Sequence, residues 1–444
     1  MSFFAEQIWL PDGITSRVRI EMEAGRITAL TPGSRPDDSI CLPGVVLPGF
    51  ANAHSHAFHR ALRGRTHDDG GTFWTWRERM YSVARRLDPD SYLALARATY
   101  AEMALAGITS VGEFHYLHNS AAGRRYDDPN AMGEALRQAA HDAGIRLTLL
   151  DTCYLAGGLP VEADGHGPDG HLELNDVQRR FADPDVDAWA ERAGARGQDP
   201  ATRLGFAIHS VRAVPQRAIP AVTKASGGST LHVHLSEQPA ENAACRSRYG
   251  CSPTELLHRA GALTPHTTVV HATHLSPADM TTLARSGAGA CFCPTTERDL
   301  GDGIGPSRAL FELGVPLSLG SDQHAVVDLI EEARTLEMHE RLDSLERGRF
   351  RPAEMLAALT NHAAIGWPDG GRIAVGARAD LVAVRTDSVR MAGCSPRQIL
   401  FAATAADVDT VIVDGQVVVS GGRHRLGDVA LLLEKAISPL WEVR

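Results

Sequence analysis

Hydrophobic positions in the middle of the chain fall into eight short runs separated by longer stretches of helical spacing. The runs are residues 45–56, 109–114, 146–154, 204–211, 230–237, 267–275, 289–295 and 316–324. They are rich in β-branched residues and nearly all end on polar ones, as strands buried on both faces do. Helix punctuation lies between them. Residues 89–106 are rich in Ala and Leu and stop at Gly107, and Ser276 and Gly287 bracket a further helix. Ser252, with Glu255 three residues on, reads as a capping box closed by Gly261. Eight strands alternating with helices predict an α/β fold, a (β/α)8 TIM barrel.

The two ends are patterned differently. Residues 1–48 and about 371–425 alternate apolar and polar positions around turns at Gly25 and Asp414-Gly415, and Asp-Gly between alternating residues signals a hairpin. Residues 1–48 and 369–444 are therefore expected to form one small β-sandwich domain with a closing helix at 429–437, and residues 49–368 the barrel. The Gly/Pro/Asp stretch 157–170 reads as a long loop, a candidate lid, with His166 and His171 in solvent.

Composition narrows the function more by exclusion than by indication. The 444 residues are 43% hydrophobic and 22% charged, enough for a large core. A net charge of −10, with no basic run, argues against nucleic acid or an anionic membrane as partner. No stretch approaches 18 apolar residues, and the start, MSFFAEQIWL, lacks the features of a secretory signal, so a cytoplasmic protein is expected. Seven scattered cysteines fit reduced thiols. Twenty histidines are the departure, and they are unevenly placed.

His54 and His56 end the first run two residues apart, so in a strand both imidazoles face one point, at the rim where barrels carry their chemistry. The fifth run ends with His234 and Glu237, and His232 points the same way one layer deeper. The sixth carries His271 and His274, and the eighth ends Gly320-Ser321-Asp322. Two or three imidazoles with a carboxylate and no thiolate suit zinc with an open position for water, with iron or manganese open as alternatives. Cys291 and Cys293 face the same way in the seventh run and are read as wall packing. The fourth run offers His209 where a bridging Lys would be needed for a second metal, which points to one ion. Bound metal activates water, and a neighbouring carboxylate must then move its proton; Asp322 and Glu237 fit that task. No HExxH occurs, so a helix-borne zinc protease is excluded.

The segments LPGFANAHSH, HVHLSE, the His271 strand and LGSD resemble the amidohydrolase superfamily, in its mononuclear-zinc deaminase branch. The split β-domain and GGRIAVGARADLVA extend the resemblance over the whole chain. Phe73-Trp74-Thr75-Trp76-Arg77, Glu113-Phe114-His115-Tyr116 and His209-Ser210-Val211-Arg212-Ala213-Val214 are similar to N-formimidoyl-L-glutamate deiminases, which release ammonia in histidine degradation. The resemblance implies one zinc held by His54, His56, His234 and Asp322. It implies Glu237 and His271 as proton-handling and orienting groups, and Arg77, Tyr116, His209 and Arg212 as substrate-holding groups. It also implies a homodimer. A dicarboxylate substrate gives the arginines a reason, since guanidinium pairs with carboxylate through two parallel hydrogen bonds.

Two positions depart from that subgroup. His59 stands where Gln is expected and could donate a hydrogen bond in its place, and Gln323 stands where Ser is expected; both are expected near the substrate end. The rival readings are a deaminase or hydrolase of a heterocycle such as guanine, an adenosine derivative or a triazine, and a non-catalytic barrel.

Overall fold

The computed structural model describes residues 2–67, 71, 73–160, 170–195 and 199–442. In chain order the strands are β1 (Ser2–Leu10), β2 (Gly13–Glu23), β3 (Arg26–Thr31) and β4 (Ile40–Pro48), then β5 (Phe50–Ser55), β6 (Ile108–His115), β7 (Arg146–Cys153) and β8 (Thr202–Ile208). These are followed by β9 (Leu231–Leu235), β10 (Thr267–His271), β11 (Gly289–Phe292) and β12 (Leu317–Leu319), and last by β13 (Leu381–Val384), β14 (Val408–Val413), β15 (Gln416–Ser420) and β16 (Arg423–His424). Among the described residues they form two eight-stranded sheets.

Strands β5 to β12 pair in sequence order, each parallel to the next, and make the predicted barrel. Every residue of β6 and β7 is buried, as parallel strands covered on both faces require. The seam between β12 and β5 is held by a single bridge: Asp322 N–H donates to the His54 carbonyl (3.0 Å) and His56 N–H to the Asp322 carbonyl (3.2 Å). The helices follow their sequence signals. Ser252 accepts from Glu255 N–H ahead of Pro253–Arg259, though its hydroxyl donates to Asp279. Ser276 and Asp279 form a complete capping box on Pro277–Ser286.

The second sheet runs β16-β15-β14-β13-β4-β1-β2-β3, built from both chain ends. The hairpin β14–β15 turns at Asp414 (φ 47°) and Gly415 (φ 77°), both left-handed as a type I′ turn requires. The apolar run 45–56 is shared between the sheets, because the chain crosses from one to the other at Gly49. A Cβ there would stand 2.4 Å from Thr109 Oγ1 and 2.9 Å from Asp380 Cβ. A buried ion pair ties the sheets together, with Arg146, at the start of β7, on Asp380, just before β13. Arg146 also reaches Asp414 at 3.0 Å and lies 5.3 Å from the Trp367 ring, which Arg203 and Arg378 approach as well. The closing helix Val429–Ile437 packs on Pro89–Leu105, outside the barrel.

One local expectation changes and one holds. His171 is fully buried and its Nε2 donates to the Val211 carbonyl (3.0 Å), so it is not in solvent; His166 lies outside the described residues. Cys291 and Cys293 are buried in the barrel wall with Ala51, Ala53 and Val270.

Candidate active site

At one end of the barrel β5, β9, β10 and the turn after β12 bring His54, His56, His234, His271 and Asp322 together. His54 Nε2 lies 3.1 Å from His234 Nε2, and Asp322 Oδ1 lies 3.5 Å from His54 Nε2 and 3.4 Å from His56 Nε2. His56 Nδ1 donates to the Phe114 carbonyl (2.9 Å) and His234 Nδ1 to the His209 carbonyl (2.8 Å). A carbonyl can only accept, so each ring carries its proton on Nδ1 and turns the Nε2 lone pair inward. Burial, then neighbouring imidazoles, lowers the pKa of His54 and His234 well below 6.5, and that of His56 to about 3. All three are therefore neutral, the form that binds metal.

The donor set fits zinc. Ligand atoms around a tetrahedral ion, at bonds of about 2.0–2.2 Å, stand about 3.3 Å apart, against the 3.1, 3.4 and 3.5 Å found here. Inward lone pairs at such separations repel unless a cation lies between them. His54, His271 and Asp322, and likewise His56, His59 and Asp322, form further overlapping sets.

Backbone strain concentrates here. Ser236, His271, Ala272, Asp322 and His324 all have left-handed φ, between 42° and 70°. Each such non-glycine residue costs about 1–3 kcal/mol, and each sits where a barrel strand gives way to its loop.

His271 stands among carboxylates: Nε2 is 3.8 Å from Glu237 and Nδ1 3.6 Å from Glu297. Burial acts to lower its pKa, but Glu237, Glu297 and Asp322 outweigh it and push it up to about 10. Glu297, two residues past the end of the seventh run, had no pattern in the sequence to mark it. Nor had Glu241, whose carboxylate accepts from Ser236 N–H (3.0 Å) and lies 3.1 Å from Arg212 Nε.

A cavity of about 190 Å³ opens on this cluster. Arg77, Tyr116, His209 and Arg212 all line it, together with His59, Glu237 and an aromatic wall of Trp76, Tyr81, Tyr154 and Phe181. Arg77 stacks on Tyr81 at 5.6 Å. Arg212 donates through Nη2 to Glu237 Oε2 at 2.8 Å. His59 Nε2 and the Tyr116 hydroxyl are hydrogen-bonded at 3.0 Å, and His209 packs 4.6 Å from the Tyr154 ring. Gln323 is not part of the lining; its amide donates to Asp299, so the expectation that it meets the substrate end fails. His274 likewise turns away, its Nε2 donating to the Asp302 carbonyl. His232 is buried one layer down, bonded to the Ala364 carbonyl.

The family model for the amidohydrolase family matches residues 45–418. The chain belongs to the amidohydrolase family. A formimidoylglutamate deiminase of Pseudomonas aeruginosa is 37% identical over 95% of both chains, and an 8-oxoguanine deaminase of the same organism is 27% identical over 96% of this chain and 95% of that one. The crystal structure of an amidohydrolase from Brucella melitensis superposes with a TM-score of 0.90 at 32% identity, covering 99% of this chain and all of that one. As an amidohydrolase, this protein hydrolyses C–N bonds. Among its described residues no helix is long and apolar enough to cross a membrane.

Proposed function

We propose that this amidohydrolase removes ammonia from N-formimidoyl-L-glutamate, leaving N-formyl-L-glutamate, in histidine degradation. The observation that carries this reading is one cavity shared by a zinc-type donor set and two guanidiniums, Arg77 and Arg212. A substrate with an imine at one end and carboxylates at the other needs both. The 37% identical deiminase supports the same reading.

His54, His56, His234 and Asp322 would hold one zinc ion, which supplies a water activated for attack near neutral pH. Arg77 and Arg212 bind the carboxylates, while His59, Tyr116 and His209 shape the remaining wall. Water adds to the C=N carbon, and Asp322 or Glu237 accepts its proton. His271, charged between Glu237 and Glu297, orients the incoming oxygen and the imine. Glu237 delivers that proton to the imine nitrogen, and the proton of the added hydroxyl follows to the same nitrogen as the C=O forms and the C–N bond breaks, releasing ammonia. No covalent bond to the protein forms.

A heterocycle deaminase is the second reading, favoured by the aromatic wall, which suits a flat ring. Ammonia release from formimidoylglutamate, compared with guanine, 8-oxoguanine and adenosine at matched concentrations, separates the two; turnover confined to the purines overturns the first. The same reading takes the protein to be a cytoplasmic homodimer, and light scattering after gel filtration reads the mass.

A further inference from the structure

Behind the histidines lies a set of five buried side chains that the reaction does not use: Asn52, Ser55, Glu113, Ser321 and His324. Asn52 holds Ser321 at two points, accepting from its N–H (3.0 Å) and donating to its hydroxyl oxygen (2.7 Å). The Ser321 hydroxyl is hydrogen-bonded to His324 Nδ1 at 2.9 Å. His324 Nε2 lies 3.2 Å from Ser55 Oγ. Ser55 in turn donates to Glu113 Oε2 (2.6 Å), and Glu113 Oε1 accepts from Ala57 N–H (2.6 Å). Burial pushes the Glu113 carboxyl up, to about 8, against these donors.

These contacts form one continuous hydrogen-bonded chain from the Asn52 amide to the Glu113 carboxyl group. The chain crosses the barrel at its weakest seam, where β12 and β5 share only one bridge. Ser55 lies between His54 and His56, Asn52 stands two residues before His54 on β5, and Ser321 and His324 flank Asp322. We infer that Glu113 and His324 are positioning residues for the metal centre, holding the His54–His56 strand end against Asp322 through a continuous hydrogen-bond chain that closes the barrel seam.

This inference rests on the metal reading of the site. Its test uses the full-length protein loaded with Zn2+ or with Co2+ as a spectroscopic probe. Glu113→Gln keeps the volume but puts an NH2 group where one carboxyl oxygen accepts from Ser55 Oγ or Ala57 N–H, which breaks one of those two bonds. Outer partners of metal ligands are worth about 10–100-fold in affinity. Chelator competition is expected to show zinc binding weakened by about that factor, with the visible bands of the cobalt protein shifted. Ser55→Ala, which removes a single hydroxyl, guards against a misfolded Glu113 variant and is expected to show the same change more weakly. Glu113→Asp, which keeps the charge, is expected to recover part of the affinity. If both variants fold and bind zinc as tightly as the parent with unchanged cobalt bands, the positioning role is overturned, whatever happens to thermal stability. If the parent protein itself takes up neither ion, the metal reading falls and this inference with it.

Discussion

Arg212 donates to Glu237 across 2.8 Å, and Glu241 holds the same guanidinium from behind at 3.1 Å. The arginine assigned to the substrate's carboxylate is therefore also a brace for the carboxylate assigned to the proton. Arg212→Ala is expected to raise KM for formimidoylglutamate and to lower kcat together. A lost hydrogen bond to a charged group is worth about 1.5–3 kcal/mol, or at least about tenfold on kcat/KM. Steady-state kinetics reads both terms; an unchanged KM defeats the carboxylate clamp.

Arg77 lies on the same cavity wall, stacked on Tyr81. Arg77→Ala is expected to raise KM about tenfold or more while kcat stays within about twofold, the signature of an interaction made equally in ground and transition states. A fall in kcat as large as that in Arg212→Ala would show that the two arginines do not divide the work in this way.

His234 sits at the centre of the imidazole cluster, with its Nδ1 committed to the His209 carbonyl. His234→Ala is expected to lose bound zinc and activity in the same proportion, by more than about a hundredfold. Metal analysis alongside turnover checks this, with circular dichroism confirming the fold. Full activity at zero zinc would remove the metal from the mechanism.

The barrel was legible because buried parallel strands and capped helices leave local signatures; all eight runs contain a strand, and Ser276 and Gly287 bracket theirs as expected. The histidine spacing in β5 was legible for the same reason, since two residues apart on a strand means one face. Other features depend on the third dimension alone. Nothing local marks Glu297 as the partner of His271, Glu241 as the brace of Arg212, or Gln323 as turned toward Asp299, because each pairing joins different strand ends. The left-handed φ at His271 and Asp322 is equally silent in sequence, as neither is glycine.

The Arg146–Asp380 pair is a test of how the two sheets cohere. Both side chains are buried, and Asp380 also accepts from Asp414 N–H at 2.9 Å. Burial alone would raise the Asp380 pKa, but Arg146 overrides it and holds the carboxyl below its usual range. Asp380→Ala strands a buried guanidinium and is expected to cost about 3–5 kcal/mol in urea unfolding. A loss under about 1 kcal/mol would mean that Asp414 alone satisfies Arg146.

Asp407 gives the fold an acid-sensitive point far from the metal. Burial pushes its carboxyl up, but hydrogen bonds from Arg390, the Ser388 hydroxyl and Thr404 N–H outweigh that and hold it at about 2, against 3.8 for a free side chain. The folded state therefore binds this proton less readily than the unfolded one. Its contribution is complete above about pH 4 and is lost as pH falls toward 2. Asp407→Asn is expected to lower stability by about 1–2 kcal/mol at neutral pH and to flatten the dependence between about pH 4 and pH 3. Urea midpoints for parent and variant across that interval decide it. Parallel curves, with a constant offset at every pH, would show that the stabilising contacts do not depend on the carboxylate's charge.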